Sequence, residues 1–340
     1  MTEEDKKLHI LLSTDGNYIM PSGVMMKSVS INNSNIPMEF HVMIDDSVTQ
    51  KQKEQLQKVL INSEHKITFH LMNGNLFKHY PALGTVKSYL SKAAYYRLFV
   101  TDIIEGNIHK ILYLDGDIIV THSLLELWKV NISDYALGAV TDMAEGRQVF
   151  ERLGYAADEG YFNSGVLLIN LDYWREHNLK DKFIDLIVKH PEKIKLHDQD
   201  VLNIVLHDKK LILPMKYNVQ NGFLWKKEYN QFGERYDDYE IDLKEAIANP
   251  TIIHFTDNKK PWHTEDCNPL GYEWFKYYKQ TEWKYQPLGH CNKSKVRYWG
   301  AKILRSLKLL QPALTDETYY FTLEEIKQMH NQNETANIMD

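Results

Sequence analysis

The chain has 340 residues, 43% of them hydrophobic and 25% charged, with 16 Gly and 10 Pro. These figures exclude a small disulfide-stapled scaffold, a disordered chain and a collagen-like repeat, and leave ample material for a packed core. Forty Lys and Arg against 46 Asp and Glu give a formal charge of −6, which also excludes a surface built throughout to grip nucleic acid phosphates.

The first third alternates strand and helix signals. Leu8 to Thr14 is a short apolar run, Gly23 to Ile31 has helical spacing, and Met38 to Ile44 is a second strand. Asp46 or Ser47 is expected to cap a polar helix carrying Val48, Leu56 and Leu60 on one side, and Lys66 to Met72 then alternates as a third strand. Repeated strand–helix–strand units imply a mainly parallel sheet. Later apolar runs are expected to join that sheet: Ile111 to Val120, Ala136 to Val140, Val166 to Asn170, Leu211 to Leu213 and Thr251 to Phe255. Phe183, Ile184, Ile187 and Val188 mark a helix that His190-Pro191 ends.

Composition shifts near the end. Residues 263 to 290 are rich in Tyr and Trp, residues 293 to 308 carry six Lys or Arg and no acid, and the last thirty turn polar and acidic. The expected organisation is one α/β domain over 1–265 and a small helical appendage over 266–340. Cys267 and Cys291 are too few for a disulfide framework or a zinc site and read as reduced thiols. The charged start MTEEDKK and the lack of an 18-residue apolar stretch predict no signal peptide, no membrane span and a cytoplasmic location.

The segment LYLDGDIIV, residues 112 to 120, carries the strongest local chemistry. Residues i and i+2 of an extended chain point to one side, so Asp115 and Asp117 can reach one cation while Gly116 allows close approach to the backbone. Two like charges in apolar flanks need a partner, and a hard divalent ion is the natural one. The tripeptide alone is uninformative, since D-x-D recurs at Asp198 and Asp200. Its placement at a strand end, where α/β folds bind ligands, is what gives it weight; the competing reading is a solvated strand-to-turn corner. The same pattern resembles the first motif of haloacid-dehalogenase-type phosphatases, but these need a later Gly-Asp pair, and the only Gly-Asp here is Gly116-Asp117 itself.

Six motifs in one order decide between these readings: Ser13-Thr14-Asp15-Gly16-Asn17-Tyr18, SKAAYYRLF (91 to 99), LYLDGDIIV, YFNSGVLLINLDYWR (161 to 175), HDQDVLN (197 to 203) and HFTDNKKPW (254 to 262). Together they resemble glycosyltransferase family 8, and within it the bacterial lipopolysaccharide-type α-galactosyl- and glucosyltransferases. The resemblance implies an α/β GT-A fold, Rossmann-like, with a mainly parallel mixed sheet flanked by helices. It also implies a UDP-hexose donor, galactose or glucose, transferred with retention to a glycan, glycolipid or glycoprotein.

Carried over by position, Asp115, Asp117 and His254 match the metal ligands, for Mn²⁺ with Mg²⁺ as the alternative. Taken alone, His254 reads as a core histidine; the following Lys-Pro-Trp reverses that. Asp15 and Asn17 match uridine-holding residues, with Ser13 and Thr14 on the turn beneath, and Lys260 matches the diphosphate lysine. Arg97, Asp142, Asn163, Ser164, Gly165, Asp198 and Gln199, with Gly116, match donor-sugar positions. Of these, Gln199, Asp198 and Asp142 are the catalytic candidates. Asp257 stands where many relatives have Gly, so a nucleotide-sugar-binding protein that has lost turnover is the runner-up. Residues 143 to 160 and 219 to 240 are the expected acceptor lid and rim. Residues 291 to 310 contribute +6, leaving −12 for the rest. As a helix, this segment sets Trp299, Ile303, Leu307 and Leu310 beside Lys302, Arg305 and Lys308. It is expected either to lie on the inner face of an anionic membrane or to pack on the catalytic domain.

Overall fold

In the computed structural model, the described residues are 7–72, 92–142, 148–226, 238–264, 266–289, 303–304, 306–307 and 319–339. Strands β1 (Leu8–Thr14), β2 (Met38–Ile44) and β3 (His65–Leu71) pair in parallel, with helices α1 (Ile19–Asn32) and α2 (Gln50–Gln57) as crossovers. Every residue of β1 is buried, and apolar layers cover both faces, which is why the strand reads as a nearly continuous apolar run.

The sheet extends through β4 (Lys110–Leu114), β7 (Phe162–Asn170), β6 (Leu137–Thr141) and β8 (Lys210–Ile212), in the order β3-β2-β1-β4-β7-β6-β8. β7 runs antiparallel to β4 and β6, so the sheet is mixed and mainly parallel, as expected.

Three expectations are corrected. The Ile111 to Val120 run is two strands: the chain turns at Asp115-Gly116-Asp117, and β5 (Ile118–Val120) joins a second sheet in the order β5-β10-β9. There it pairs antiparallel with β10 (Ile252–His254), which pairs in parallel with β9 (Val219–Gln220), so the Thr251 to Phe255 run also leaves the main sheet. The polar helix is capped by Thr49, not Asp46 or Ser47. Thr49 accepts from the Gln52 amide while Gln52 reaches back to the Thr49 amide, which satisfies two otherwise unpaired donors. Asp45 instead takes the Ser47 amide in a tight turn.

Residues 266–289 pack on the α/β core. Trp274 and Trp283 are buried with α1, where a side chain on Gly23 would strike Trp283, and the Tyr277 hydroxyl takes a 2.7 Å bond from Asn32. The helix Leu323–Met339 docks on the helix Tyr239–Ala248 through Ile326 and a 2.7 Å bond between His330 Nε2 and the Ile247 carbonyl. Ser91, residues 143–147 and 227–237, and most of 291–310 including Cys291 lie outside the described residues.

Candidate functional site

The two sheets meet at the Asp115-Gly116-Asp117 corner. The Asp115 amide bonds the Gly165 carbonyl at 2.9 Å, tying the corner to β7. The Phe255 amide bonds the Asp117 carbonyl at 3.0 Å, tying it to β10. Because β10 pairs antiparallel with β5, His254 falls opposite Ile118, one residue beyond the second aspartate. The result is a cluster of Asp115, Asp117 and His254 whose ligand atoms all lie within 4.8 Å of one another. His254 Nε2 is 3.2 Å from Asp117 Oδ1 and 3.8 Å from Asp115 Oδ2. Gly165 forms the floor: a Cβ there would run into the His254 ring and sit 2.7 Å from Asp115 Oδ2. The space over Gly116 is taken by Ser22 and Tyr18, so this glycine lets α1 pack against the corner.

Two cations hold the aspartates. Lys260 Nζ is 2.8 Å from Asp117 Oδ2 and 2.5 Å from the Phe255 carbonyl. Burial opposes ionisation of Asp117, yet Lys260 and His254 outweigh it and hold its carboxyl far below the usual range. Arg97, 4% exposed, reaches Asp115 Oδ1 at 2.8 Å, the Ser164 carbonyl at 2.5 Å and Asp198 Oδ2 at 3.2 Å, and lies 3.9 Å over the Tyr113 ring. Its planar fork thus bridges the metal-type pair and the second D-x-D. That second pair splits, because i and i+2 on a helix face different ways. Asp198 points to the site, whereas Asp200 is buried under Arg152, Tyr161 and the amides of Lys195 and Leu196. Burial raises Asp198 to about 6 against the pull of Arg97. His197, immediately before it, adopts a left-handed φ of 50°, a strained backbone that presents Asp198 and Gln199.

A relay of amides runs beside the cluster. Gln199 Nε2 donates to Asp142 Oδ2 at 2.9 Å, and Gln199 Oε1 accepts from the Ser164 amide at 3.0 Å and Asn163 Nδ2 at 3.2 Å. Asn163 Oδ1 accepts from the Gly165 amide and from Asn218 Nδ2, each at 3.0 Å. Asn218 Oδ1 is in turn 3.0 Å from His254 Nδ1. Asn218 is fully buried and was absent from the sequence reading. A signal for it exists: Asn218, Gln220 and Asn221 are three amides in an otherwise apolar segment, and buried amides need partners.

At the end of β1 the Asp15 carboxylate takes the Asn17 amide at 2.8 Å, leaving Asn17 exposed at the rim. Thr14 accepts from Ser22, and Ser13 Oγ is buried without a hydrogen-bond partner among the described residues. Tyr18 packs edge-on against Trp262, and burial beside Asp117 and Asp115 pushes its phenol well above the usual range. Asp257 folds back on the Asn258 amide at 2.6 Å, and its φ is not left-handed, so an aspartate is accommodated there without backbone strain.

The profile of glycosyl transferase family 8 matches residues 9–266, which spans every element of this site. The chain belongs to that family. General stress protein A of Bacillus subtilis is 30% identical over 294 residues, covering 82% of this chain and 96% of its own. The lipopolysaccharide 1,3-galactosyltransferase of Salmonella typhimurium is 29% identical over 299 residues, 84% and 80% of the two chains. The galactosyltransferase LgtC, solved with donor and acceptor sugar analogs, superposes with a TM-score of 0.69 at 24% identity, over 82% of this chain and 99% of that one. The fold of this family 8 protein is therefore GT-A.

Proposed function

We propose that this family 8 glycosyltransferase moves galactose or glucose from UDP, with retention, to a hydroxyl of a cell-surface glycan, glycolipid or glycoprotein. The observation that carries the reading is the convergence of Asp115, Asp117, His254 and Lys260 at one corner, with the Asp142–Gln199–Asn163 relay beside it. Two carboxylates and an imidazole above a side-chain-free floor at Gly165 suit Mn²⁺, with Mg²⁺ as the alternative; such an ion would offset the charge of the departing diphosphate.

The protein's own groups account for the remaining steps. Asp15 and Asn17, on the turn carrying Ser13 and Thr14, hold the uridine, and the unpartnered Ser13 hydroxyl offers a further bond. Lys260 lends its charge to the leaving UDP. Arg97 sets Asp115 and Asp198 in register, and Asp198, Asn163 and Ser164 frame the sugar, so that an epimer leaves a buried group unpaired.

Gln199 is an amide and a poor nucleophile, fixed on Asp142 and the Ser164 amide. Departure and attack therefore share one face. As the anomeric C–O bond to UDP breaks, the acceptor oxygen bonds the same carbon, its proton passes to the β-phosphate oxygen, and Gln199 steadies the electron-poor centre.

Residues 1–265 act as the catalytic unit, on which residues 266–289 and the helix Leu323–Met339 pack. Among the described residues no helix is long and apolar enough to cross a membrane. Ile303, Leu304 and Leu307, from the basic segment 291–310, are exposed. Contact of that segment with the inner face of an anionic membrane belongs to the same proposal. The test is UDP release with UDP-galactose and UDP-glucose, with and without Mn²⁺ and anionic vesicles. Asp117→Asn should abolish the Mn²⁺-dependent release; a variant that turns over like the parent overturns the reading.

A further inference from the structure

A second cluster of metal-type donors lies away from the donor site, on the other end of the sheet. Strand alternation puts Glu39 and His41 on one face of β2, and the parallel register sets His9 of β1 opposite Glu39 and His70 of β3 opposite Met43. His9 Nδ1 and His41 Nε2 are 3.1 Å apart, and His41 Nδ1 is 3.2 Å from His70 Nε2. The donor atoms of His9, Glu39 and His41 all lie within 4.8 Å of one another. Leu11 pairs with Tyr113 across β1 and β4, so the Asp115 corner lies about four residues, roughly 13 Å, further along the sheet than His9, and the two clusters are separate sites.

We propose that His9, Glu39 and His41 form a transition-metal site of the Zn²⁺ class, joining β1 to β2 and independent of the sugar-transfer chemistry. Two imidazoles and a carboxylate are borderline donors that favour Zn²⁺ and Co²⁺ over the hard ions suited to the Asp115 corner. Tetrahedral Zn²⁺ with Zn–N bonds near 2.05 Å separates its nitrogens by about 3.3 Å, close to the gap already present between His9 and His41. His70 fixes the tautomer: with Nδ1–H of His41 donated to His70, Nε2 of His41 presents its lone pair to His9. On binding, the proton held between His9 and His41 moves to the far nitrogen of His9. Glu39 is shared between Lys7 at 2.5 Å on one oxygen and Thr68 at 2.6 Å on the other, so an ion competes with Lys7 for the charge of the carboxylate.

The test uses the full chain in the Asp117→Asn background, which disables the first site. Dialysis against Zn²⁺ and against Co²⁺ should leave a bound equivalent, with the visible absorption of four-coordinate Co²⁺ and a higher Tm. Adding His9→Gln should remove all three signals. Adding Glu39→Gln, which keeps both imidazoles, should weaken Zn²⁺ binding about tenfold or more. His9→Gln on its own should leave Mn²⁺-dependent UDP release unchanged. No bound metal in the Asp117→Asn chain, or binding indifferent to both substitutions, overturns the proposal.

Discussion

At the scale of single residues, the candidate site was half legible. Asp115, Asp117 and His254 stand in apolar runs and Lys260 six residues after His254 in the same motif, and the motifs alone nominate them. Their supporting groups were invisible, because one buried asparagine or arginine has no pattern. Arg97 was expected to face the sugar, and its observed partners are the carboxylates of Asp115 and Asp198. Asn218 was missed altogether. By accepting from His254 Nδ1 it sets which nitrogen turns to the aspartates, and by donating to Asn163 it couples that histidine to the sugar-side relay. Asn218→Leu should weaken Mn²⁺ affinity, read by electron paramagnetic resonance, by about 10- to 100-fold. Asn218→Asp, which keeps the acceptor and loses the donor, should recover most of it. A leucine variant that binds Mn²⁺ as tightly as the parent would show that His254 needs no such support.

At the scale of elements, the strands were recognisable as apolar runs, and all of the runs named in advance contain strands. Their assignment to sheets was not recognisable, because an apolar run records burial and not its neighbours. β5 and β10 have three residues each, and what removes them from the main sheet is the turn at Asp115-Gly116-Asp117. This partition makes the site, since it sets Gly165 of β7 against His254 of β10 across the corner. Gly165→Ala is the test at this level. Its φ is not left-handed, so backbone strain is absent and the cost is steric: the new methyl meets His254 and Asp115. Turnover should fall by about a hundredfold, as expected for a misplacement of about 1 Å. Global stability should drop by no more than about 1–3 kcal/mol, read by denaturant titration. Retained turnover would mean that the corner tolerates a wider cradle.

For the whole molecule, acid sensitivity is built into the β1–β2–β3 end of the sheet. Burial lowers the His41, His65 and His70 imidazoles below their ordinary value of 6.5, His41 to about 3. A base whose folded pKa is depressed leaves the unfolded chain holding more protons throughout the interval, so stability is full above pH 6.5 and is lost as pH falls toward 3. Glu39 acts in the same sense lower down: burial opposes its ionisation, but Lys7 and Thr68 outweigh this and bring it to about 2. Asp198 and Asp266 act in the opposite sense, since burial raises each to about 6 and protonation below that value relieves the penalty. The net curve therefore mixes signs, and one histidine must be isolated by difference. With chelator present, the parent chain should lose stability through His41 as pH falls from 6.5 to 5, by about 1 kcal/mol per pH unit. In His41→Asn this component vanishes, and its stability-against-pH slope should be shallower by that amount, measured by urea titration at each pH. Parallel slopes for the two chains would mean that His41 takes up its proton in the folded state as readily as in the unfolded one, and that the three-histidine row opens before the fold does.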